Sequence, residues 1–356
     1  MKDWRILSVA MLILATVGRS AGEESKSTVF YAFETSSLSP AREVRPEVVQ
    51  AMVNRLVCAT TGQPTPASAW ASLVSPGDRV GIKVSAGGGR VSGTRPAVVE
   101  AIAAGLREAG IPASRIVVWD RHRQDLLDAG FDPSSPSYRL RWVEGAGGYD
   151  PQSQLTAPVL GRLIWGDSGF GRREGTRMED ILAGGEQVSS TSHYAQILSR
   201  DVDKVINVPS LMDSFHTGIH GALANMTLPN LDNWRRFTRA PDHGDPYLAE
   251  IYGDGMIRDK VVLTILDALL LQYAGGPFPN PACTVDCHSI FVSRDPVAID
   301  ATAARLIDEF RIPAKLPSVE KSTRWLEAAE SLGLGQSREP AFSLQRIGGR
   351  PRSGSR

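Results

Sequence analysis

The chain is short of the residues that most often announce a function. Its 356 residues contain three cysteines and six histidines, and 39 basic side chains face 39 acidic ones, for a net charge of zero. Balanced charge excludes the broad basic field that nucleic-acid binding draws on. Three thiolates are fewer than the four that usually hold an iron–sulfur cluster, so none is expected. No apolar run approaches the ~20 residues of a membrane-spanning helix. The glycine-rich run Gly87, Gly88, Gly89 and Gly93 does not spell G-x-G-x-x-G, and no Gly-Lys-Ser/Thr follows it, so neither a dinucleotide fingerprint nor a P-loop is present. The stretch GDSGFG (166–171) echoes a serine-protease segment in four letters only and reads as a turn.

What is present begins with a leader. Lys2 and Arg5 precede an apolar run from Ile6 to Val17, and small residues follow at Gly18, Ser20, Ala21 and Gly22. That pattern predicts a Sec-type signal peptide over 1–22 and a periplasmic or secreted protein with no membrane span after cleavage. At the other end, residues 336–356 hold five arginines against Glu339 with little apolar content, and read as a disordered basic tail.

Between the two, strand and helix signals alternate. TVFYAFE (28–34), RVGIKVS (79–85), RIVVWD (115–120), YRLRWVE (138–144), DKVINVPSL (203–211) and SIFVSRD (289–295) read as strands. Residues 45–57, 94–110, 123–130, 247–253, 295–310 and 322–335 read as helices, with Asp295 as a cap before Pro296. KVVLTILDALLL (260–271) starts as a strand and is expected to turn helical. The alternation predicts an α/β domain over 28–335, a mostly parallel, Rossmann-like sheet flanked by helices. A long irregular excursion, rich in Gly, Pro, Ser and Gln, occupies 145–190, with a sub-boundary placed in 145–200.

Ligands of open parallel sheets sit beyond the carboxyl ends of the strands. Here those segments are 85–95, 120–123, 209–225 and 293–300. KVSAGGGRVSGTR offers backbone amides, Lys83 and Arg95 to an anion. Lys83 is the sharper signal, because a lysine within VGIKVS needs an acid or a ligand if buried. DSFHTGIHGALANM (213–226) places His216 and His220 four apart. On a helix they would share a face and could hold a divalent metal, with Asp213 as an oxygen ligand. Thr217, Gly218 and Ile219 are poor helix formers, so a loop turning helical near Gly221 is expected instead. CTVDCH presents Cys283, Cys287 and His288 as a disulfide, plain thiols or, least expected, a metal or redox module. Cys58 reads as core.

Taken in order, RVGIKVS, TRPAVVEAIAAGLREAGIPASRIVVWDR, VINVPSLMDSFHTGIHGALANM, GGPFPNP and FVSRDPVAIDATAARLI resemble the domain-of-unknown-function family 362 from about residue 78 to 335. Two blocks more distantly resemble the amino-terminal domain of nickel-pincer lactate racemase. The family positions retained include Lys83, Arg95, Pro209, Gly218, Asn225, Asp295 and Asp300. Both families present a histidine and a lysine around the glycine of this loop, where this chain has Ser214 and Ala224; Met212 replaces a preceding lysine. The strand-end segments point to a small anionic or polyhydroxylated ligand, held by Lys83, Arg95, Asn225 and Asp300. By analogy the resemblance implies isomerase or redox chemistry through His216 or His220, with or without a metal. The missing histidine and lysine imply the alternative, a binding protein without turnover. Both readings need Lys83, Arg95 and the histidines to meet in one cleft.

Overall fold

A computed structural model describes residues 27–155, 164–165, 188–189, 192–238 and 241–348. The leader 1–22, the segment GDSGFG and most of the 145–190 excursion lie outside the described residues. Within that excursion, short strand pairs join Tyr149–Gln154 to His193–Ala195 and Ile164–Trp165 to Val188–Ser189.

One ten-stranded sheet organises the rest. Its strands are β1 (Ser27–Phe33), β2 (Val80–Val84), β3 (Ile116–Asp120), β4 (Arg139–Trp142), β5 (Lys204–Val208), β6 (Ser210–Ser214), β7 (Gly218–Ile219), β8 (Val261–Gln272), β9 (Thr284–Ser293) and β10 (Phe342–Arg346). The order across the sheet is β10-β1-β9-β8-β5-β2-β3-β4, and β6 pairs with β7 and β8. Of these, β9 and the two-residue β7 run against the others. The fold is therefore α/β with a mostly parallel sheet, as the alternation of the sequence predicts.

The sheet has a core on each face. Val80, Ile82 and Val84 of β2 pack with the helices Pro46–Thr61 and Pro96–Glu108. The helices Ala222–Thr227, Tyr247–Gly253 and Pro296–Arg311 cover the other face. Since strand side chains alternate, Gly81 and Lys83 are directed to this second face. Asp295 caps the helix Pro296–Arg311 by accepting from the Ala298 amide at 2.8 Å, as expected.

Three expectations are corrected. Residues 260–271 form a strand to their end, because β8 is buried almost throughout; a continuous apolar run carries no period to separate strand from helix. The basic tail is not disordered as far as it is described: Phe342–Arg346 adds an edge strand parallel to β1, with Phe342 buried. The strand expected over 203–211 is two, broken at Pro209, and residues 212–214 and Gly218–Ile219 are also extended, where the sequence suggested a loop. Cys283 and Cys287 are not joined in a disulfide, which leaves the plain thiols that the sequence also allowed. Cys283 ends the 3-10 turn Pro281–Cys283 and Cys287 lies within β9, with the extended residues 284–286 between them, a path of roughly 13 Å against the shorter Cα reach of a disulfide. Cys58 is partly, not fully, buried.

Candidate functional site

The carboxyl ends of β2 and β3 and the strand β6 border one cleft of about 560 Å³. The long strand β8 explains its shape. Its first half pairs with β5 and its second half with β6, so the chain crosses Pro209 and continues above the rim of the sheet. His216 and His220 both line this cleft, with Asp120, Asp125, Arg121 and Arg235. Phe215, Phe278 and Trp234 supply its apolar surface.

Behind the cleft lies a buried polar network. The Lys83 ammonium donates to Asp120 Oδ1 at 2.7 Å, to the Val84 carbonyl at 2.7 Å and to Asn225 Oδ1 at 3.1 Å. A lysine has three N–H donors, and all three are used. The Asn225 amide donates in turn to Asn207 Oδ1 at 2.8 Å. Burial alone would raise the pKa of Asp120. The Lys83 charge and the amides of Ala86 and Arg121 outweigh burial and hold the carboxyl below its usual range. The glycine-rich loop does present an amide to an anion, as its sequence suggested, but the anion is the protein's own: Ala86 N donates to Asp120 Oδ2 at 2.7 Å.

His220 opens from this network onto the cleft. Burial, then the nearby Lys83 charge, lowers its imidazole to about 4. His216 stacks at 4.0 Å on Phe215 and edge-on at 5.1 Å to Trp234. Burial, then Arg235, lowers it to about 4 as well. Both rings are therefore neutral at pH 7, each with one nitrogen to accept a proton and one to donate. The guanidiniums of Arg121 and Arg235 lie 5.7 and 5.3 Å from the Trp234 ring. Cations packed against an aromatic wall next to neutral imidazoles suit a small anion with a flat or apolar body.

Several predicted site residues have other work. The expected meeting of Lys83, Arg95 and the histidines in one cleft is not found: Lys83 lies behind the cleft, and Arg95 does not reach it, since its guanidinium folds back on the carbonyls of Gly93 and Val91 and its amide donates to Asp267 at 2.7 Å, so Arg121 and Arg235 are the cations at the opening. Asp300 is fully buried and accepts from the amides of Ala222 and Leu223 at 2.5 and 2.9 Å. It thereby caps the helix Ala222–Thr227, which carries Asn225 to Lys83. Burial raises Asp300 to about 7 against the pull of those two amides. Gly221 is required there, since a Cβ would stand 2.0 Å from Asp300 Oδ1. Asp213, the proposed oxygen ligand, accepts from the Gly276 amide at 2.9 Å and lies 3.5 Å from Arg311. It pins the GGPFPNP loop rather than a metal. A Cβ on Gly276 would meet the Asp213 carbonyl at 1.8 Å, so the loop also needs glycine at this point. Among the described residues no group of three or more His, Cys, Asp or Glu is arranged to hold a metal ion. Neither His216, His220 and Asp213 nor Cys283, Cys287 and His288 form such a group. His288 instead faces Ser37 Oγ at 3.4 Å and the Phe33 ring.

Sequence reasoning pointed to 120–123 as a segment but named no residue in it. Asp120 could have been found as the acid that a buried Lys83 requires. Trp234 and Arg235 carry no such signal, because NWRRF follows no strand of the sheet.

Residues 174–305 match the family model described as domain of unknown function DUF362. This match supports the family resemblance over the part of the chain that holds β6, His216, His220 and Asp300, while Lys83 and Asp120 lie outside it. No curated protein matches. A crystal structure of a protein from Thermotoga maritima is similar with a TM-score of 0.34 and 10% identity, over 81% of this chain and 59% of that one. The present chain thus spans about three-fifths of that protein, and a likeness at this level carries no argument about activity.

Proposed function

We propose that the protein binds a small organic anion, hydroxylated or with a flat body, in the cleft beneath Trp234, and that His220 exchanges a proton with it. The observation that carries this reading is the joint exposure of His216 and His220 to the cleft that also holds Arg121 and Arg235. The arginines would fix a carboxylate or phosphate. Ser85, Ser214 and Asp125 line the same space and would meet hydroxyl groups. A neutral imidazole next to a carboxylate-bearing carbon can accept its proton, and the incoming negative charge would raise the basicity of that imidazole. Lys83 and Asn225 act as positioning residues for His220, since Lys83 has no donor left for a ligand. The reaction class this supports is an isomerisation by proton transfer.

A second reading, a binding protein without turnover, has its own support. Ser214 and Met212 line the cleft, at the positions where the resembled families carry a histidine and a lysine. The test is a panel of hydroxy acids, sugar acids and sugar phosphates, scored by thermal stabilisation of the full chain. Hits are then incubated in heavy water and followed by proton NMR. Deuterium entering the carbon beside the carboxylate, lost in His220→Ala, supports the enzyme. Stabilisation without exchange supports the binding protein. No stabilisation by any member of the panel contradicts both.

A further inference from the structure

The end of the sheet remote from the cleft is also a recess. We propose that it is a second, separate site, for a small ligand carrying two or more phosphate groups. The amino ends of three neighbouring parallel strands each bring arginine to this recess. Arg79 precedes β2, Arg115 precedes β3, and Arg139 opens β4 with Arg141 two residues on. The register pairs Val80 with Ile116, which sets Arg79 beside Arg115, and pairs Arg139 with Val117 and Arg141 with Trp119, so the four rise in steps across strands about 4.8 Å apart. Together they line a cavity of about 340 Å³.

Four like charges this close repel one another unless anions intervene. The described residues supply two. Asp203 takes Arg79 through a fork, with contacts of 2.6 and 3.0 Å. Asp201 lies 3.7 Å from Arg141, beyond hydrogen-bond length. Arg115 donates to the Gly77 carbonyl, and Arg139 reaches the Ser114 carbonyl at a long 3.4 Å. These contacts use one N–H each of the five that a guanidinium carries. Arg115, Arg139 and Arg141 therefore keep donors for an outside anion, in a chain whose overall charge is zero.

The recess also defines the class of ligand. Among its lining residues Val117 alone has a sizeable apolar side chain, and none is aromatic. Nothing there would stack on a base or a ring, so recognition falls on the anionic groups themselves. Forked N–H pairs match the oxygens of phosphate, and several guanidiniums side by side match a chain of phosphates.

Titration calorimetry of the full chain with pyrophosphate tests this. Saturable binding is expected, tighter than that of orthophosphate and of citrate, and weakening as sodium chloride rises. Replacing Arg115→Ala together with Arg139→Ala should weaken it by ~10-fold or more. If that pair disturbs folding, the Arg115→Lys, Arg139→Lys chain retains both charges but not the forks. A several-fold loss in that chain supports the site, and unchanged affinity overturns it. The proposal is also overturned if pyrophosphate gives no saturable binding, if citrate binds as tightly, or if the folded alanine variant binds as well as the natural chain.

Discussion

The Lys83 ammonium lies 2.7 Å from the Asp120 carboxylate, and its two remaining donors go to the Val84 carbonyl and Asn225. Lys83 is fully buried and Asp120 is 6% exposed. This pair joins β2 to β3 at the floor of the cleft and fixes Asn225 behind His220. Removing one charge from a buried pair strands the other, at a cost of about 3–5 kcal/mol. Asp120→Asn should therefore lower the unfolding free energy by about that amount. The double variant Lys83→Met, Asp120→Asn should regain part of the loss, because no lone buried charge remains. Denaturant unfolding of the three chains measures both effects, and a double variant less stable than the sum of its single changes would contradict the pairing.

Acid should weaken the fold through the two cleft histidines. Both have folded values of about 4, below the ordinary 6.5. Between those limits the unfolded chain binds more protons than the folded one, so stability present above pH 6.5 is lost as pH falls toward 4. Melting temperatures of the natural chain and of His216→Ala, His220→Ala across this range provide the check. The double variant should show a flatter profile, and parallel profiles would count against neutral imidazoles.

Asp300 acts in the opposite sense. Its folded value of about 7 lies above the ordinary 3.8, so the folded chain holds the extra proton between them. Stability from this group grows as pH falls from about 7 toward 4 and is absent above 7. Asp300→Asn removes that slope. The difference in melting temperature, natural chain minus variant, should rise on acidification; a difference that falls would refute a neutral buried carboxyl.

Gly221→Ala tests the same contact by volume. The added methyl would stand 2.0 Å from Asp300 Oδ1 and push the carboxyl off the helix Ala222–Thr227. Overpacking of this kind costs about 1–3 kcal/mol. The accompanying shift of Asn225 should disturb His220, visible as a moved imidazole resonance by NMR. A variant of unchanged stability and spectrum would show that the close approach has no consequence.

Most of the framework was legible because strand and helix periods differ and because glycine, proline and Asp295 mark the ends of elements. The end of β8 and residues 212–214 were not legible, since nearly every residue there is buried and no period survives. In the site, the burial of Lys83 and the proximity of His216 and His220 to one opening could be anticipated from chemistry and position. The fate of Arg95 and Asp300 could not. Each is satisfied by main-chain groups, carbonyls of the neighbouring loop for one and amides of a helix 77 residues away for the other. Such partners leave no mark in the side-chain sequence. Trp234 and Arg235 were missed for the same reason, since tertiary packing alone brings NWRRF to the cleft.

An anion settling beside the two neutral imidazoles raises their proton affinity, and His216, which the exchange at His220 does not use, takes up part of a proton. Calorimetry of the best-stabilising anion, repeated at pH 7 in buffers of different ionisation heat, measures that uptake. The expected result is net proton uptake on binding, with affinity increasing as pH is lowered from 7 toward 5, and both effects abolished in His216→Ala, His220→Ala. Binding with no proton uptake, or uptake that persists when both histidines are gone, would contradict the placement of the ligand in this cleft.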